Sequence, residues 1–190
     1  TEELAEIERK ITGAQQSAVA LETELFGAVR KKIEQEIPAI QQNALALKTL
    51  DVLLSLAKVA REYGYVKPEM TEDGGIEIVN GRHPIVERML TDEPFVPNDT
   101  LMDTTGHRML IVTGPNMAGK STYLRQVAQI VAMAQIGSYV PADSAKIGIC
   151  DRIFTRIGAS DDLAGGQSTF MVEMSETASI LRNATQNSLI

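Results

Sequence analysis

One stretch of the chain decides the expected fold: Gly114-Pro115-Asn116-Met117-Ala118-Gly119-Lys120-Ser121. It matches the pattern G-x-x-x-x-G-K-[ST], in which backbone N–H groups of a glycine-rich loop surround phosphate groups. In such a loop the Lys120 ammonium reaches the β- and γ-phosphates, and the Ser121 hydroxyl joins the shell of a Mg²⁺ ion. Gly114 and Gly119 allow backbone conformations that a Cβ atom would forbid. The stretch therefore predicts a phosphate-binding loop of the Walker A type.

The segments on either side of the loop have the character that it requires. Residues 109–113 form an apolar run typical of a buried strand, and residues 121–135 carry apolar side chains at helical spacing. A strand, a glycine loop and a helix N-terminus in this order make a site for anions. The alternative is a glycine-rich turn that only joins two core elements. Because the motif and both flanks rarely coincide by chance, we favour the phosphate site.

The composition indicates an acidic protein with an aliphatic core. Of 190 residues, 44% are hydrophobic, only 4% are aromatic, and the formal net charge is −7. Residues 1–68 carry a net charge of −1 and residues 69–190 carry −6. Any contact with DNA would therefore need a local basic patch or residues outside this chain. The chain has no apolar run long enough for a bilayer and no signal peptide, so we expect no membrane association and a cytoplasmic location.

The first part of the chain reads as a helical segment. Residues 2 to about 37 place apolar or small side chains in alternating steps of three and four, at Leu4, Ile7, Ile11, Ala14, Ala18, Leu21, Leu25 and Ala28. Such a rod suits a lever, or one strand of an antiparallel coiled coil. Pro38 is expected to kink or restart the helix, and a second helical stripe then ends near Gly64. We assign residues 1–66 to this helical lever or clamp.

The remainder reads as an α/β domain after a linker. Residues 67–75 have the Pro, Gly and acidic content of a linker, and residues 76–190 form the second domain. Residues 76–79 alternate like a strand, Asn80-Gly81 favours a turn, and residues 147–157 predict further strand. A helix is expected from residues 167–170 to about Asn183. Right-handed crossovers between parallel strands would complete the sheet.

Several polar residues admit two interpretations. Ser168 and Thr169 suit a helix N-cap, but they also suit hydroxyl groups aimed at a phosphate, and spacing leaves both open. His83 lacks a second ligand at metal-binding spacing, so a structural hydrogen bond is favoured over a metal site. His107 is expected at the surface. Cys150 lies in an apolar run and is expected to be a small buried side chain in a reducing compartment.

Three motifs in order resemble the MutS family of bacterial DNA mismatch repair proteins. They span residues 109–122, 151–162 and 166–174, and the run at 21–26 resembles the family's clamp and lever helices. The resemblance covers essentially the whole chain. It implies a dimeric ATPase with an ABC-type P-loop fold, in which ATP lies between two ATPase domains that complete each other's sites.

The resemblance also implies roles for individual residues. ATP or ADP and Mg²⁺ would be bound by Gly114, Pro115, Asn116, Met117, Ala118, Gly119, Lys120, Ser121 and Thr122. Within that set Lys120, Ser121 and Asn116 would act in catalysis, with Asn116 on the terminal phosphate and Ser121 on the metal. Ser168 and Thr169 would contact ATP bound to the partner subunit. Phe95 would stack on the adenine, although its spacing to the loop differs by a residue from the family pattern.

The family's other components are expected outside these 190 residues. An Asp-Glu pair, in which the Asp supports Mg²⁺ and the Glu polarises the attacking water, would follow shortly after Ile190. Both ends of the chain look like cuts through a longer protein, and we expect this segment to bind nucleotide but hardly to hydrolyse it. The implied partners are a second subunit, mismatched double-stranded DNA gripped by other domains, and MutL. The implied location is the bacterial nucleoid.

Two rival functions share some of these features. An ABC-type transporter subunit or an SMC-type chromosome ATPase also combines a Walker A loop with long helices, and residues 165–167 faintly resemble their LSGGQ signature. The continuation through residues 168–174 does not fit that signature. A non-hydrolysing helical scaffold with a degenerate nucleotide site is the other alternative.

Overall fold

The protein is described by a computed structural model that covers residues 2–156 and 169–190. Within these described residues, four helices and six strands follow one another. They are α1 (Glu2–Glu62), β1 (Glu69–Thr71), β2 (Ile76–Gly81), α2 (Val86–Met89), β3 (Asn98–Met102), α3 (Lys120–Gln135), β4 (Ser144–Gly148), β5 (Arg152–Ile153), α4 (Thr169–Asn183) and β6 (Ser188–Leu189). The predicted α/β class with a long leading helix is confirmed.

Helix α1 is longer than the sequence suggested. It runs without interruption through Pro38, so the predicted restart at that residue is wrong. Proline removes only one backbone donor, and the hydrogen bonds of the turns before and after it persist. The helix ends where expected, because Gly64 takes the left-handed conformation (φ 62°) that closes a helix C-terminus.

The chain divides into two compact units, residues 1–53 and 54–190, and the division falls inside α1. Within the first unit the apolar heptad side chains are exposed; Leu4, Ile7 and Leu25 remain more than half accessible. An apolar stripe of this kind is typical of a helix that pairs with another helix. The coiled-coil interpretation and the boundaries at residues 66 and 76 stay predictions.

The second unit is built on a four-stranded sheet with the order β1-β4-β2-β3. Strand β1 pairs with β4 in parallel, and β2 pairs antiparallel with both β3 and β4. The stretch 67–75, predicted as a linker, thus contains an edge strand. A polar stretch can form such a strand, because the side chains of an edge strand need not be apolar.

Strand β2 confirms the predicted strand at 76–79 and continues through Gly81. Ile76 and Ile78 are buried and Glu77 is exposed, as the alternation required. The Asn80-Gly81 pair does not make the predicted turn. Asn80 has a positive φ of 51°, but the pairing of β2 with β3 only shifts register between Ile78 and Gly81. The left-handed residue therefore produces a β-bulge instead of a hairpin.

The core lies between this sheet and one face of α3. Its buried members are Ile76, Ile78, Val127, Ile130, Val131, Ala134, Val140, Ala142, Ala145 and Ile147. The helix has the predicted position, but Gln126 is also fully buried, and neither atom of its amide has a hydrogen-bond partner in the described chain. No pattern in the sequence indicates that this polar residue lies in the core.

The expected strand at 109–113 is not formed. Met109 and Ile111 are 76% and 78% exposed, and no strand of the described ranges pairs with this segment. A strand inside a parallel sheet requires a neighbour to accept and donate its hydrogen bonds, and apolar character alone cannot supply one. The described part of the predicted strand region, residues 147–156, likewise contains only the end of β4 and the short β5, which pairs in parallel with β6.

Arg82 joins several elements around the start of the second unit. Its Nε donates to Glu87 Oε1 at 2.6 Å, and Nη2 donates to the Tyr63 carbonyl at 3.4 Å. The Arg82 N–H donates to Pro141 O at 2.8 Å, and the Arg88 guanidinium lies 4.4 Å from the centre of the Tyr63 ring. These contacts hold the last residues of α1 against the β2–α2 connection and the segment before β4.

Gly148 marks a close approach of two backbone segments, and its replacement provides a test of the sheet. A Cβ atom at this position would lie 2.5 Å from Gly74 Cα. Because backbone rather than a flexible side chain would have to move, we expect Gly148→Ala to lower the free energy of unfolding by about 1–3 kcal/mol. Urea unfolding measures the change.

Gly106→Ala is the matched control in the same unit, because its Cβ would find nothing nearer than 3.7 Å. We expect an effect within about 0.5 kcal/mol. Equal effects of the two substitutions would contradict the close packing at Gly148.

His83 confirms its predicted structural role and makes stability depend on pH. The side chain is 4% exposed, and Nδ1 accepts the backbone N–H groups of Ile85 and Val86, each at 3.3 Å. Burial holds the pKa of the imidazole below its usual value of 6.5, and the positive charge of Arg125 adds to the effect. The unfolded chain therefore binds more protons than the folded chain between the lowered pKa and 6.5.

We expect the free energy of unfolding to fall as the pH is lowered from 6.5 through the folded-state pKa, by at most about 1.4 kcal/mol per pH unit from this group. His83→Asn can accept the same N–H groups through Oδ1 without titrating, so it should lack this contribution. Urea unfolding of both proteins at pH 7.5, 6.5 and 5.5 separates it from the carboxylates that they share. Identical pH dependence would show that His83 contributes nothing.

Candidate nucleotide site

The glycine loop bends through left-handed backbone conformations. Met117 has a φ of 65° and Gly119 a φ of 85°. A positive φ is rare for a side chain such as Met, and it often marks a functional loop. Gly119 is the N-cap of α3 and provides no side-chain hydrogen bond to the helix. The first N–H groups of α3 are thus free of a side-chain cap and can donate to an anion.

Lys120 begins α3 and folds back across the loop. Its ammonium donates to Gly114 O at 2.7 Å and to Pro115 O at 2.6 Å. The charge is thereby held beside the start of the loop by two carbonyl groups. Phosphate oxygens are stronger acceptors for an ammonium than carbonyl oxygens, because they are charged.

A cleft of about 790 Å³ lies beside the loop. It is lined by Phe95, Val96, Asn98, Leu110, Ile111, Val112, Thr113, Ala118, Gly119, Lys120, Thr122 and Tyr123. The volume is in the range of small-molecule sites. One wall comes from the connection before β3 and the other from the loop and the first turn of α3.

Phe95 therefore lines the same cleft as the loop, although it lies nineteen positions before Gly114 in the sequence. Its side chain is half-buried. Tyr123 fixes the distance between the two walls, because its hydroxyl pairs with Thr100 Oγ1 at 3.0 Å and donates to Asp99 O at 3.3 Å. An aromatic ring (Phe95) and a cationic side chain (Lys120) in the wall of one cleft suit a ligand with a flat base and an anionic tail.

The structure does not place every predicted residue in this cleft. Asn116, Met117 and Ser121 are exposed and do not line it, and Met117 is fully accessible. Ser168 lies outside the described residues, and α4 begins at Thr169. Within residues 2–156 and 169–190, no group of three His, Cys, Asp or Glu side chains is arranged to hold a metal ion.

Asn98 and Tyr123 are cleft residues that sequence reasoning missed. Tyr123 follows the motif by two positions and Asn98 follows Phe95 by three. Neither residue belongs to the phosphate-loop pattern, so only the folded chain shows that they meet.

A second polar cluster lies at the β5–β6 pair. Asp151 accepts hydrogen bonds from Thr185 Oγ1 at 2.6 Å and from Ser188 Oγ at 2.9 Å. These bonds hold the pKa of the Asp151 carboxyl below its usual range. Arg156 nearby contacts Glu173 at 2.6 Å and Glu176 at 2.8 Å, and so holds the chain after β5 against α4. These contacts connect β5 and the residues that follow it with β6 and α4.

The two remaining singled-out side chains are structural. Cys150 is partly buried rather than fully buried, and burial raises the pKa of its thiol. A raised pKa keeps the group protonated and unreactive, as predicted for a packing residue. His107 is exposed, as expected, and its Nδ1 lies 3.0 Å from Asp103 Oδ2.

In the part of the chain that the structure covers, no helix combines the length and apolar character needed to cross a bilayer. This agrees with the apolar runs of the sequence, which are all interrupted by charged or polar residues.

Comparison with known proteins gives one consistent result. Residues 110–190 match the family model described as MutS domain V. All 190 residues align at 60% identity with the DNA mismatch repair protein MutS of Acetivibrio thermocellus, at 59% with that of Ruminiclostridium cellulolyticum and at 62% with that of Alkaliphilus metalliredigens. The chain covers 22% of each of these proteins, so it spans about a fifth of their length. The resemblance read from the three motifs is thereby confirmed: the chain belongs to the MutS family of DNA mismatch repair proteins.

Proposed function

We propose that this chain carries the nucleotide-binding module of a MutS-type mismatch repair protein, with a P-loop fold of the ABC type. The observation that carries the proposal is the single cleft that is lined by Phe95 together with Gly119, Lys120 and Thr122. The names of the relatives favour mismatch repair over the SMC-type and transporter alternatives. The match of residues 110–190 to MutS domain V supports the same assignment.

The phosphates of ATP or ADP are bound by backbone donors of residues 114–122. The uncapped N-terminus of α3 adds its dipole and its free N–H groups. The Lys120 ammonium exchanges the carbonyl groups of Gly114 and Pro115 for phosphate oxygens. This exchange breaks two hydrogen bonds from the ammonium to neutral carbonyl oxygens. It forms hydrogen bonds to charged phosphate oxygens, which are stronger.

In this site, only a few protein groups would coordinate Mg²⁺. No carboxylate lines the cleft, and Mg²⁺ in nucleotide sites commonly keeps its waters and binds phosphate oxygens together with one or two side chains. Ser121 would supply a hydroxyl, and Asn116 lies in the same loop to contact the terminal phosphate. The ion supplies neutralisation of the phosphate charge.

Hydrolysis belongs to the proposed function of the whole protein. The family resemblance places the Asp-Glu pair that supports hydrolysis after Ile190, and phosphoryl transfer depends on metal support and on an oriented water. Ser168 and Thr169 would reach the nucleotide of a second subunit. The chain by itself then binds nucleotide and turns it over poorly.

The remaining partners are proposed for other domains of the protein. The net charge of −6 over residues 69–190 opposes contact with the DNA backbone. Mismatched DNA would therefore be gripped elsewhere, with α1 connecting that region to the nucleotide module. We also propose MutL as a partner of the whole protein and the nucleoid of the bacterial cytoplasm as its location.

Lys120→Ala tests the phosphate site in the intact protein. We expect the affinity for ATP and for inorganic triphosphate to fall about 10- to 100-fold, because a charge-assisted contact contributes about 1.5–3 kcal/mol. Titration with a fluorescent ATP analogue, followed by competition with triphosphate, measures both values.

Lys146→Ala removes the same charge from an exposed position of β4 that is not part of the cleft. It should leave both affinities unchanged. An equal loss in both variants would mean that net charge, rather than the loop, determines binding.

Phe95→Ala tests the base end of the cleft separately. Loss of the ring removes stacking worth about 1–3 kcal/mol per base, so ATP affinity should fall while inorganic triphosphate still competes as before. Phe95→Tyr should retain most of the affinity. Phe26→Ala, which removes an exposed ring from α1, is the control. A fall in triphosphate affinity with Phe95→Ala would show that Phe95 supports the loop instead of the base.

A further inference from the structure

One polar side chain of the core lacks a hydrogen-bond partner. Gln126 of α3 is completely buried, and within residues 2–156 and 169–190 neither its Oε1 nor its Nε2 is bonded to another group. Taking an amide out of water without a new hydrogen bond is unfavourable, whereas an apolar side chain of the same length carries no such cost. Stability of this state therefore does not explain a glutamine at this position, and an unpaired buried group in a native fold requires another explanation.

The Gln126 amide lies over the β-bulge at which β2 and β3 change register. Nε2 lies 2.8 Å from the point that a Cβ on Gly81 would occupy, and the carbonyl oxygen of Asn98 lies 3.1 Å from the same point. Gly81 and Asn98 are opposite each other in the pairing of the two strands. A carbonyl oxygen has two lone pairs, so it can accept from a side chain as well as from the backbone. A buried donor thus lies near an acceptor to which it is not bonded.

Helix α3 connects this amide with the phosphate loop. Lys120, whose ammonium is held by two loop carbonyl groups, is the first residue of the helix, and Gln126 follows about 9 Å further along the axis. Between them, Tyr123 contacts β3 through Thr100 and Asp99. Tyr123 and Gln126 are three positions apart, which places them on one side of the helix. A movement at the start of α3 therefore changes the distance between the Gln126 amide and β3.

We propose that Gln126 is a positioning residue for phosphate binding. Its amide is unpaired in the nucleotide-free chain, and Nε2 donates to Asn98 O once a phosphate group has drawn Lys120 away from the loop carbonyl groups. The inference rests on the proposed nucleotide site and concerns its regulation by the core. Helix shifts of about 1–2 Å are part of the known repertoire of such transitions. Because the hydrogen bond forms only in the bound state, it raises the affinity for phosphate, although Gln126 does not line the cleft.

Gln126→Met in the intact protein tests this role, because methionine has a similar length and no polar group that needs a partner. The midpoint of urea unfolding without nucleotide should stay the same or rise. The affinities for ATP and for inorganic triphosphate should both fall about tenfold, since the lost bond acts through the helix and not on the base. A side chain that only fills the core would leave the affinity of the folded protein unchanged.

Gln135→Met is the matched control on the same helix. Nε2 of Gln135 already donates to Gly148 O at 3.0 Å, and the residue lies outside the cleft. Its replacement removes a hydrogen bond that is present without nucleotide, so the unfolding midpoint should fall while both affinities stay within about twofold of those of the unmodified protein. An equal loss of affinity in the two variants would mean that any change in α3 weakens binding, and would overturn the specific role of Gln126.

Crystal structures of the unmodified intact protein with and without inorganic triphosphate test the hydrogen bond directly. Nε2 of Gln126 should lie within hydrogen-bond distance of Asn98 O in the bound protein only. An unpaired amide in both structures, or the same bond in both, would overturn the inference. This comparison also decides the matter if Gln126→Met does not fold.

Two further outcomes separate the inference from the proposal beneath it. Equal affinities of the unmodified protein and a folded Gln126→Met for both ligands would overturn the role of Gln126 and leave the nucleotide site intact. Failure of the unmodified protein to bind either ATP or inorganic triphosphate would overturn the nucleotide site, and the inference with it.

Discussion

Burial of one face of α3 against the four-stranded sheet is the interaction on which the rest of the structure depends. Ile130 and Val131 are completely buried on the helix, as is Ile147 on β4. Each such side chain contributes about 1.5–3 kcal/mol by leaving water. Because these residues fix the helix in position and rotation, they also fix where its uncapped N-terminus points. The phosphate loop thus takes its place from a packing interface that lies two to three turns away.

The loop itself has little packing of its own. Residues 109–119 are exposed throughout, and the hydrogen bonds that hold the loop run from Lys120 back to its first carbonyl groups. An anion that takes the ammonium away from those carbonyl groups must compensate with new bonds to the loop N–H groups. Binding and ordering of the loop are therefore one process, which is typical of segments of low local stability.

Local pattern predicted well the elements whose determinants are local. The spacing in residues 121–135 gave α3 to within one residue, and the alternation of Ile76, Glu77 and Ile78 gave β2. The strand predicted at residues 109–113 was wrong, because a parallel strand needs neighbouring strands that its own sequence does not encode. The predicted turn at Asn80 was wrong for a related reason. A residue with a left-handed backbone conformation can form either a turn or a β-bulge, and the pairing of the strands on either side decides which.

The site was predictable in part for the same reason. The proposed phosphate-binding residues lie together in the sequence, so a motif can indicate them. Phe95 was reached only through family resemblance, and Asn98 not at all, because both meet Lys120 through the pairing of β3 with β2. Gln126 shows most clearly what sequence patterns do not predict. Its amide is buried against the backbone of β2, where a Cβ on Gly81 would approach Nε2 to 2.8 Å, and no periodicity distinguishes such a residue from an exposed glutamine.

Charge acts on an anionic ligand in opposite directions at long range and at short range from the site. Residues 69–190 carry a net charge of −6, so the field at a distance repels a nucleotide polyanion. At physiological ionic strength that field is screened beyond about 8 Å, whereas the contacts of Lys120 and the N–H groups act within hydrogen-bond distance. Binding must then come from donors at the loop and from the surface of Phe95, and not from attraction by the domain as a whole. In the proposed mismatch repair protein, an acidic nucleotide module would not compete for the DNA backbone, while its loop would still hold phosphate.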